Sequence, residues 1–132
     1  MAIDENILIY MAKEETYEGG TPIIKEGARG DWVYVLLEGK AKVRKMTSKG
    51  MVTIDSLAEG DIFGEMILWG GGQGVRTASV IADGWVKVGV LDTEHLRRDY
   101  SSVSPRIKSL FRSLISRLRD TTEKAVSIAV ES

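Results

Sequence analysis

From Tyr17 to Asp92 the chain is a succession of short apolar runs, each closed by glycine or by a charged turn. The runs read TPIIKEG, DWVYVLLEG, KAKVRKM, MVTIDSLAEG, RTASVIADG and WVKVGVLD, most of them rich in Val, Ile or Thr. Such residues fit a pleated, half-buried surface, and their bounding glycines mark turns. KAKVRKM alternates polar and apolar positions, which predicts a strand with one wet face. WVYVLL is nearly unbroken and predicts a central strand. TSKG between two runs predicts a hairpin turn. Together they predict a mainly β fold, an antiparallel jelly roll (β-roll) of about eight strands over residues 17–92.

Beyond Asp92 the period changes. DTEHLRRDYSS predicts a short helical linker over 93–103. Ser104 then offers an N-cap and Pro105 suits the first helical position. Neither Gly nor Pro follows, and apolar or small residues recur at Ile107, Phe111, Leu114, Leu118, Thr121, Ala125 and Ile128. The steps of four and three form a heptad seam over a helix at 104–131, roughly 40 Å long at 1.5 Å per residue. That exceeds what one small roll can cover. The first half is expected to pack on its own domain and the second on another copy, giving a homodimer. The alternative is a helix that caps a monomer. A hydroxyl at Thr121 breaks the seam, so it either specifies pairing or meets a ligand.

Composition narrows the classes of function. A chain of 132 residues makes a single domain, 1–132, able to bury a real core. With 18 Lys and Arg against 19 Asp and Glu, the net charge of −1 supplies no global field for nucleic acid or membrane. The basic residues of the tail are interleaved with acids and read as a solvated face. The absence of cysteine excludes disulfides and thiolate chemistry, and one histidine, His95, cannot build a multi-histidine metal centre. A cupin-like enzyme on the same jelly roll is therefore disfavoured, and no Ser–His or Cys–His arrangement is present; the chain is expected not to be an enzyme. The N-terminus lacks the features of a signal peptide and no apolar run spans a bilayer, so the expected location is the cytoplasm.

The candidate chemistry lies in IFGEMILWGGGQGVRTASVIA, residues 62–82. Gly64 lets backbone approach a bound object. Glu65-Met66-Ile67-Leu68 can form a first helical turn whose N–H groups suit an anion. Arg76 offers a forked donor set that fits a phosphate, and Thr77 and Ser79 add hydroxyls. Glu65 would repel a phosphate but can accept from sugar hydroxyls. A nucleotide of modest charge satisfies both. Taken alone, a Glu and an Arg eleven residues apart are more often unrelated surface charges, and GGGQG lacks the Gly-Lys-Ser/Thr ending of a P-loop.

In context, residues 17–131 resemble a cyclic-nucleotide-binding domain, of the superfamily that includes catabolite activator proteins, protein kinase A regulatory subunits and cyclic-nucleotide-gated channels. EGGTPIIKEGARGDWVYVLLEGKAKV is similar to the opening strands, EGDIFGEM and VRTASV to the phosphate-binding cassette (62–80 here), and the tail to the activator's long C-terminal helix. The resemblance implies a ligand, cAMP first and cGMP second, and no further cofactor or metal. It implies a site of Gly64, Glu65, Met66, Ile67 and Leu68, then Arg76, Thr77, Ala78 and Ser79. Glu65 would hold the ribose 2′-hydroxyl and Arg76 the exocyclic phosphate oxygens. Thr121 and Thr122 would face the base. Binding would move the C-terminal helix and pass the signal to an unidentified partner protein. The resemblance ends without a helix-turn-helix, so direct DNA binding is not expected. Two departures, Ile67 in place of a small residue and a lengthened glycine loop, motivate the alternative of a degenerate fold that binds no ligand and serves as an interaction or dimerisation domain.

Overall fold

A computed structural model describes residues 3–64, 76 and 78–131. A short helix α1 (Glu5–Leu8) precedes strands β1 (Met11–Tyr17), β2 (Pro22–Ile24), β3 (Val33–Thr47), β4 (Gly50–Leu57), β5 (Ile62–Phe63) and β6 (Ser79–Leu91). Helices α2 (Thr93–Ser101) and α3 (Pro105–Glu131) complete the chain. All strand pairs are antiparallel, in the order β1-β6-β3-β4, with β2 added to β6 and β5 to β3.

The mainly β fold with C-terminal helices stands, but the described residues hold six strands rather than about eight. The difference has a physical cause. DWVYVLLEG and KAKVRKM, expected as two strands, are one bent strand of 15 residues. The bend falls at Gly39, where the register with β6 shifts between Leu36 and Glu38 and again between Glu38 and Lys40. RTASVIADG and WVKVGVLD likewise join through Gly84 into β6, of which Ser79 is the first residue. Glycine bends these strands where a turn was expected. The sheet also begins before Tyr17. MAKEETY forms β1 at the sheet edge with Lys13 and Glu14 exposed, and such charges are how edge strands avoid pairing with other chains.

The long strands carry the core on both faces, as the unbroken WVYVLL run predicted. Tyr34 and Leu36 pack with Val86, Val88 and Val90 on one side. Val33 and Val35 point to the other, where Leu91 joins them and Ile7, Tyr10 and Leu96 close the layer. TSKG does make the hairpin: Thr47 pairs with Gly50, and the Thr47 hydroxyl donates to the Gly50 carbonyl at 2.7 Å.

The helices start as read. Asp92 caps α2 by accepting from the His95 amide at 3.1 Å, and Ser104 accepts from the Ile107 amide at 3.3 Å ahead of Pro105. The first half of α3 leaves Ile107, Leu110, Phe111 and Leu114 exposed and touches α2, where Phe111 stacks on Tyr100, while Leu118 through Val126 share a cavity wall with Ile54, Asp55 and Leu57 of β4. The half-buried positions from Ile115 onward are Ile115, Arg119, Val126 and Val130, not the apolar seam. No helix among the described residues is long and apolar enough to cross a membrane.

Three tyrosines couple this packing to pH. Burial, then a hydrogen bond to Glu15, pushes Tyr17 upward. Burial also raises Tyr34, and a hydrogen bond to Asp99 raises Tyr10. A phenol whose folded pKa exceeds its unfolded value stabilises the fold fully below the unfolded value. That stability is lost as pH rises from about 10 through the folded value. Stability to denaturant should therefore fall steadily above about pH 10. Tyr17→Phe should make that fall shallower; a parallel decline in the variant would assign the alkaline loss to other groups.

Candidate functional site

The site is built around a buried cation. Arg76 is 7% exposed, and its backbone is pinned on both sides: its amide donates to the Ala28 carbonyl at 2.9 Å, and its carbonyl accepts from the Gly27 amide at 2.8 Å. The guanidinium is aimed by two backbone carbonyls. Nη1 donates to Gly64 at 3.0 Å and Nη2 to Trp32 at 2.6 Å. These two carbonyls orient the guanidinium, and its positive field reaches Tyr34, where it opposes the upward shift of the phenol.

Gly64 follows β5 with φ +81, and a Cβ there would lie 2.9 Å from the Trp32 carbonyl and 3.1 Å from Arg76 Nη1. A side chain there would collide with the Trp32 carbonyl and crowd the arginine. Gly64 and Arg76, twelve residues apart, are thus in direct contact, a link the sequence reading did not make.

Gly64 and Arg76 open into a cavity of about 510 Å³ between the roll and α3. Ile24, Val43, Leu57, Phe63 and Val80 give it an apolar floor. Its other wall is helical, formed by Leu118 through Val126, and includes Thr121 and Thr122. A mostly apolar pocket with a few convergent polar groups is the usual form of a small-molecule site. It has room for an aromatic base as well as a charged group.

The predicted site residues divide as follows. Gly64, Arg76, Ala78, Thr121 and Thr122 share the cavity wall. Ser79 is buried beside them, but its hydroxyl accepts from the Glu26 amide at 2.9 Å, a link that holds the loop after β2. Glu65, Met66, Ile67, Leu68 and Thr77 lie outside the described residues. The threonine hydroxyls donate to their own helix, Thr121 to the Arg117 carbonyl at 2.8 Å and Thr122 to Leu118 at 2.9 Å. In that arrangement each offers a ligand only lone pairs.

Sequence reasoning missed Lys45, Asp55, Arg119 and Glu123, all of which line the cavity. Lys45 pairs with Glu26 at 3.3 Å, and Glu26 also accepts from the Met46 amide at 2.9 Å. For Arg119 and Glu123 a signal existed: spaced four apart, they fall on one helix face together with Thr122 and Val126.

Compared with known proteins, the chain matches the family model of the cyclic nucleotide-binding domain over residues 14–101. It belongs to that family. The match covers the roll and α2 and stops before α3. Among curated relatives, this cyclic nucleotide-binding domain is 35% identical over 112 residues to the cGMP-dependent protein kinase egl-4 of Caenorhabditis briggsae. The alignment takes in 75% of this chain and 15% of that kinase. Among solved structures, the EAL enzyme Bd1971 in its cAMP-bound form has a TM-score of 0.73 at 27% identity, covering 84% of this chain and 30% of the other. The regulatory domain of Toxoplasma gondii PKA with cAMP has a TM-score of 0.63 at 27% identity, covering 80% of this chain and 39% of the other. The chain therefore spans less than half the length of each of these proteins.

Proposed function

We propose that this cyclic nucleotide-binding domain is a regulatory sensor, not an enzyme, that takes a cyclic purine mononucleotide, cAMP or cGMP, into the cavity under α3. The observation that carries the reading is Arg76, a buried guanidinium aimed by two carbonyls at the wall of a cavity wide enough for a nucleotide. Its forked donors suit the exocyclic phosphate oxygens. Glu65, next to Gly64, would accept from the ribose 2′-hydroxyl, with backbone groups of Met66, Ile67 and Leu68 and the Thr77 hydroxyl nearby. The apolar floor would take the sugar and base. The names of the kinase relative and of the two nucleotide-bound structures support the ligand class. Because α3 forms one wall of the cavity, a ligand there would draw its second half toward the roll, and this displacement is the output passed to a partner protein.

The reading includes a homodimer in the cytoplasm, joined along α3. Ile107, Leu110, Phe111, Leu114, Leu118 and Ile128 are between 39% and 66% exposed on that helix. So much exposed apolar surface on one element suits a partner helix of the same kind. In sedimentation experiments the protein should dimerise in a concentration-dependent manner, and Leu114→Glu should shift it to monomer without loss of helicity. A wild-type protein that stays monomeric at high concentration would remove the dimer from the reading.

The ligand assignment is tested by calorimetric titration of nucleotide-stripped protein with cAMP and with cGMP. Saturable one-to-one binding of either supports it. A folded protein that gives no heat with both overturns it and leaves the ligandless interaction domain.

A further inference from the structure

We propose that the outer face of the β3–β4 hairpin docks an extended acidic segment of a partner protein. Carboxylates on alternate residues of that segment would seat on Lys40, Lys42 and Arg44. No residue of this row lines the nucleotide cavity, so the surface is separate from the sensor site.

Charge is segregated in this part of the chain. Between Glu38 and Asp55 lie five basic residues, Lys40, Lys42, Arg44, Lys45 and Lys49, and no acidic one. The pleat then sorts them. Ala41 is buried in the core, and Val43 and Lys45 line the cavity. Alternation puts Lys40, Lys42, Arg44 and Met46 on the opposite face. From β4, Met51, Thr53 and Ser56 stand opposite Met46, Arg44 and Lys42. From β6, Ser79, Ile81 and Asp83 stand opposite Arg44, Lys42 and Lys40. Asp83 is thus the one carboxylate that these three strands place beside the row.

Arg44 points to a missing acceptor. Its Nε is buried with no hydrogen-bond partner among the described residues, although the great majority of buried polar groups have one. Among the described residues neither Lys40 nor Arg44 is in an ion pair. Lys42 reaches Asp83 only at 3.9 Å, between side chains that are each about half exposed. Such a surface pair is weak and yields to a better acceptor. A carboxylate fits a guanidinium in charge and shape, and on a flexible stem it can reach a half-buried arginine.

The spacing selects an extended chain. Strand residues two apart are separated by about 7 Å, so the three cations stand in single file at the interval that Asp or Glu at alternate positions of an extended peptide reproduces. Met46 and Met51, 59% and 37% exposed and directly opposed, end the row with an apolar patch. Flexible thioethers adapt to an apolar side chain at the end of the acidic run. The charge of the whole molecule favours a short peptide over a larger polyanion. The other 13 of the 18 basic residues stand against 19 acidic ones, so the remainder of the chain is net negative. It repels a bilayer surface or a nucleic acid. A peptide held within a Debye length of the row, about 8 Å at physiological salt, feels mainly the row.

The experiment is fluorescence anisotropy of the full chain with a labelled peptide that alternates glutamate with threonine and ends in leucine. A second peptide of the same composition carries its glutamates as one contiguous block. Vesicles rich in phosphatidylserine and a short single-stranded DNA are the other probes. The alternating peptide should bind saturably, at least about tenfold more tightly than the block peptide, and weaken as salt rises. Arg44→Gln should lower its affinity at least about tenfold, because a hydrogen bond to a charged group is lost. Lys40→Gln combined with Lys42→Gln, both on exposed side chains, should lower it several-fold without change in circular dichroism, which keeps the test valid if Arg44→Gln perturbs the fold. Met46→Ser should reduce binding of this peptide but not of one that lacks the terminal leucine.

Equal affinity for the two peptides overturns the extended docking mode, and undiminished binding in the Arg44 and lysine variants overturns the assignment to this row. Binding of vesicles or DNA through these residues, with no binding of the alternating peptide, overturns the proposal in favour of that polyanion.

Discussion

Arg76→Ala is expected to weaken nucleotide binding by more than an order of magnitude while leaving a recognisable but weakened fold. Arg76 is 7% exposed and is the cation best placed for a phosphate in the cavity. Truncating one member of a buried charge pair costs about 2–5 kcal/mol in binding. At 1.4 kcal/mol per decade, affinity should fall by roughly thirtyfold to several-thousandfold. The same change strands the Gly64 and Trp32 carbonyls, which accept from Nη1 and Nη2 in the native site. Leaving a buried acceptor unsatisfied costs about 1–3 kcal/mol, so the ligand-free protein should also melt several degrees lower. Arg76→Lys separates the two effects. Lysine restores a positive charge but, as a point charge, cannot hold two carbonyls and a phosphate at once. It should recover part of the binding and less of the stability. Binding within a few-fold of wild type in the alanine variant would sink the assignment of Arg76 to the phosphate.

Gly39→Ala is expected to be among the most damaging single-methyl changes in the chain, although it lies outside the cavity. Gly39 has φ +92, and an added Cβ would stand 2.5 Å from the Trp85 carbonyl oxygen and 3.0 Å from Val86 Cγ1. The first of these is backbone of the paired strand β6, which cannot rotate away. A left-handed conformation costs an L-residue about 1–2 kcal/mol, and forcing atoms into a packed site about 1–3 kcal/mol more. The sum of about 2–5 kcal/mol is a large part of the 5–15 kcal/mol that usually holds a domain together. Gly20→Ala is the matched control. Its φ of +85 carries a similar conformational cost, yet nothing lies within 4 Å of its added methyl. The difference between the two variants in denaturant midpoint isolates the collision. Equal losses would mean that the bend at Gly39 relaxes freely.

Much of this architecture was legible from residue patterns, for identifiable reasons. The buried run WVYVLL, the Thr47 to Gly50 hairpin and the Ser104-Pro105 helix start are local signals, each fixed by side chains within a few residues. Arg76 stood out only through the whole string from Ile62 to Ala82 in its setting of glycine-punctuated strands, since a Glu and an Arg alone would have read as surface charges. Other features depended on distant partners. Glycine can end a strand or bend one, and only the pairing of β3 with β6 decides which occurs at Gly39 and Gly84. MAKEETY was overlooked because an exposed edge strand needs no apolar alternation. The polar part of the cavity wall on α3 was overlooked because charged helix residues read as a solvated face. Arg119, with its long apolar stem, is half-buried there while Leu114 remains exposed.

Leu118 belongs to two surfaces at once. It lines the cavity, yet it is 53% exposed on the apolar strip of α3. If that strip joins two copies, ligand and partner act on one rod and their free energies are linked. Whatever factor the nucleotide contributes to dimerisation, dimerisation must return to nucleotide affinity. The apparent sensitivity of such a receptor would then depend on how much of the receptor is present. A cell could tune its response to the same signal by changing the abundance of this chain alone.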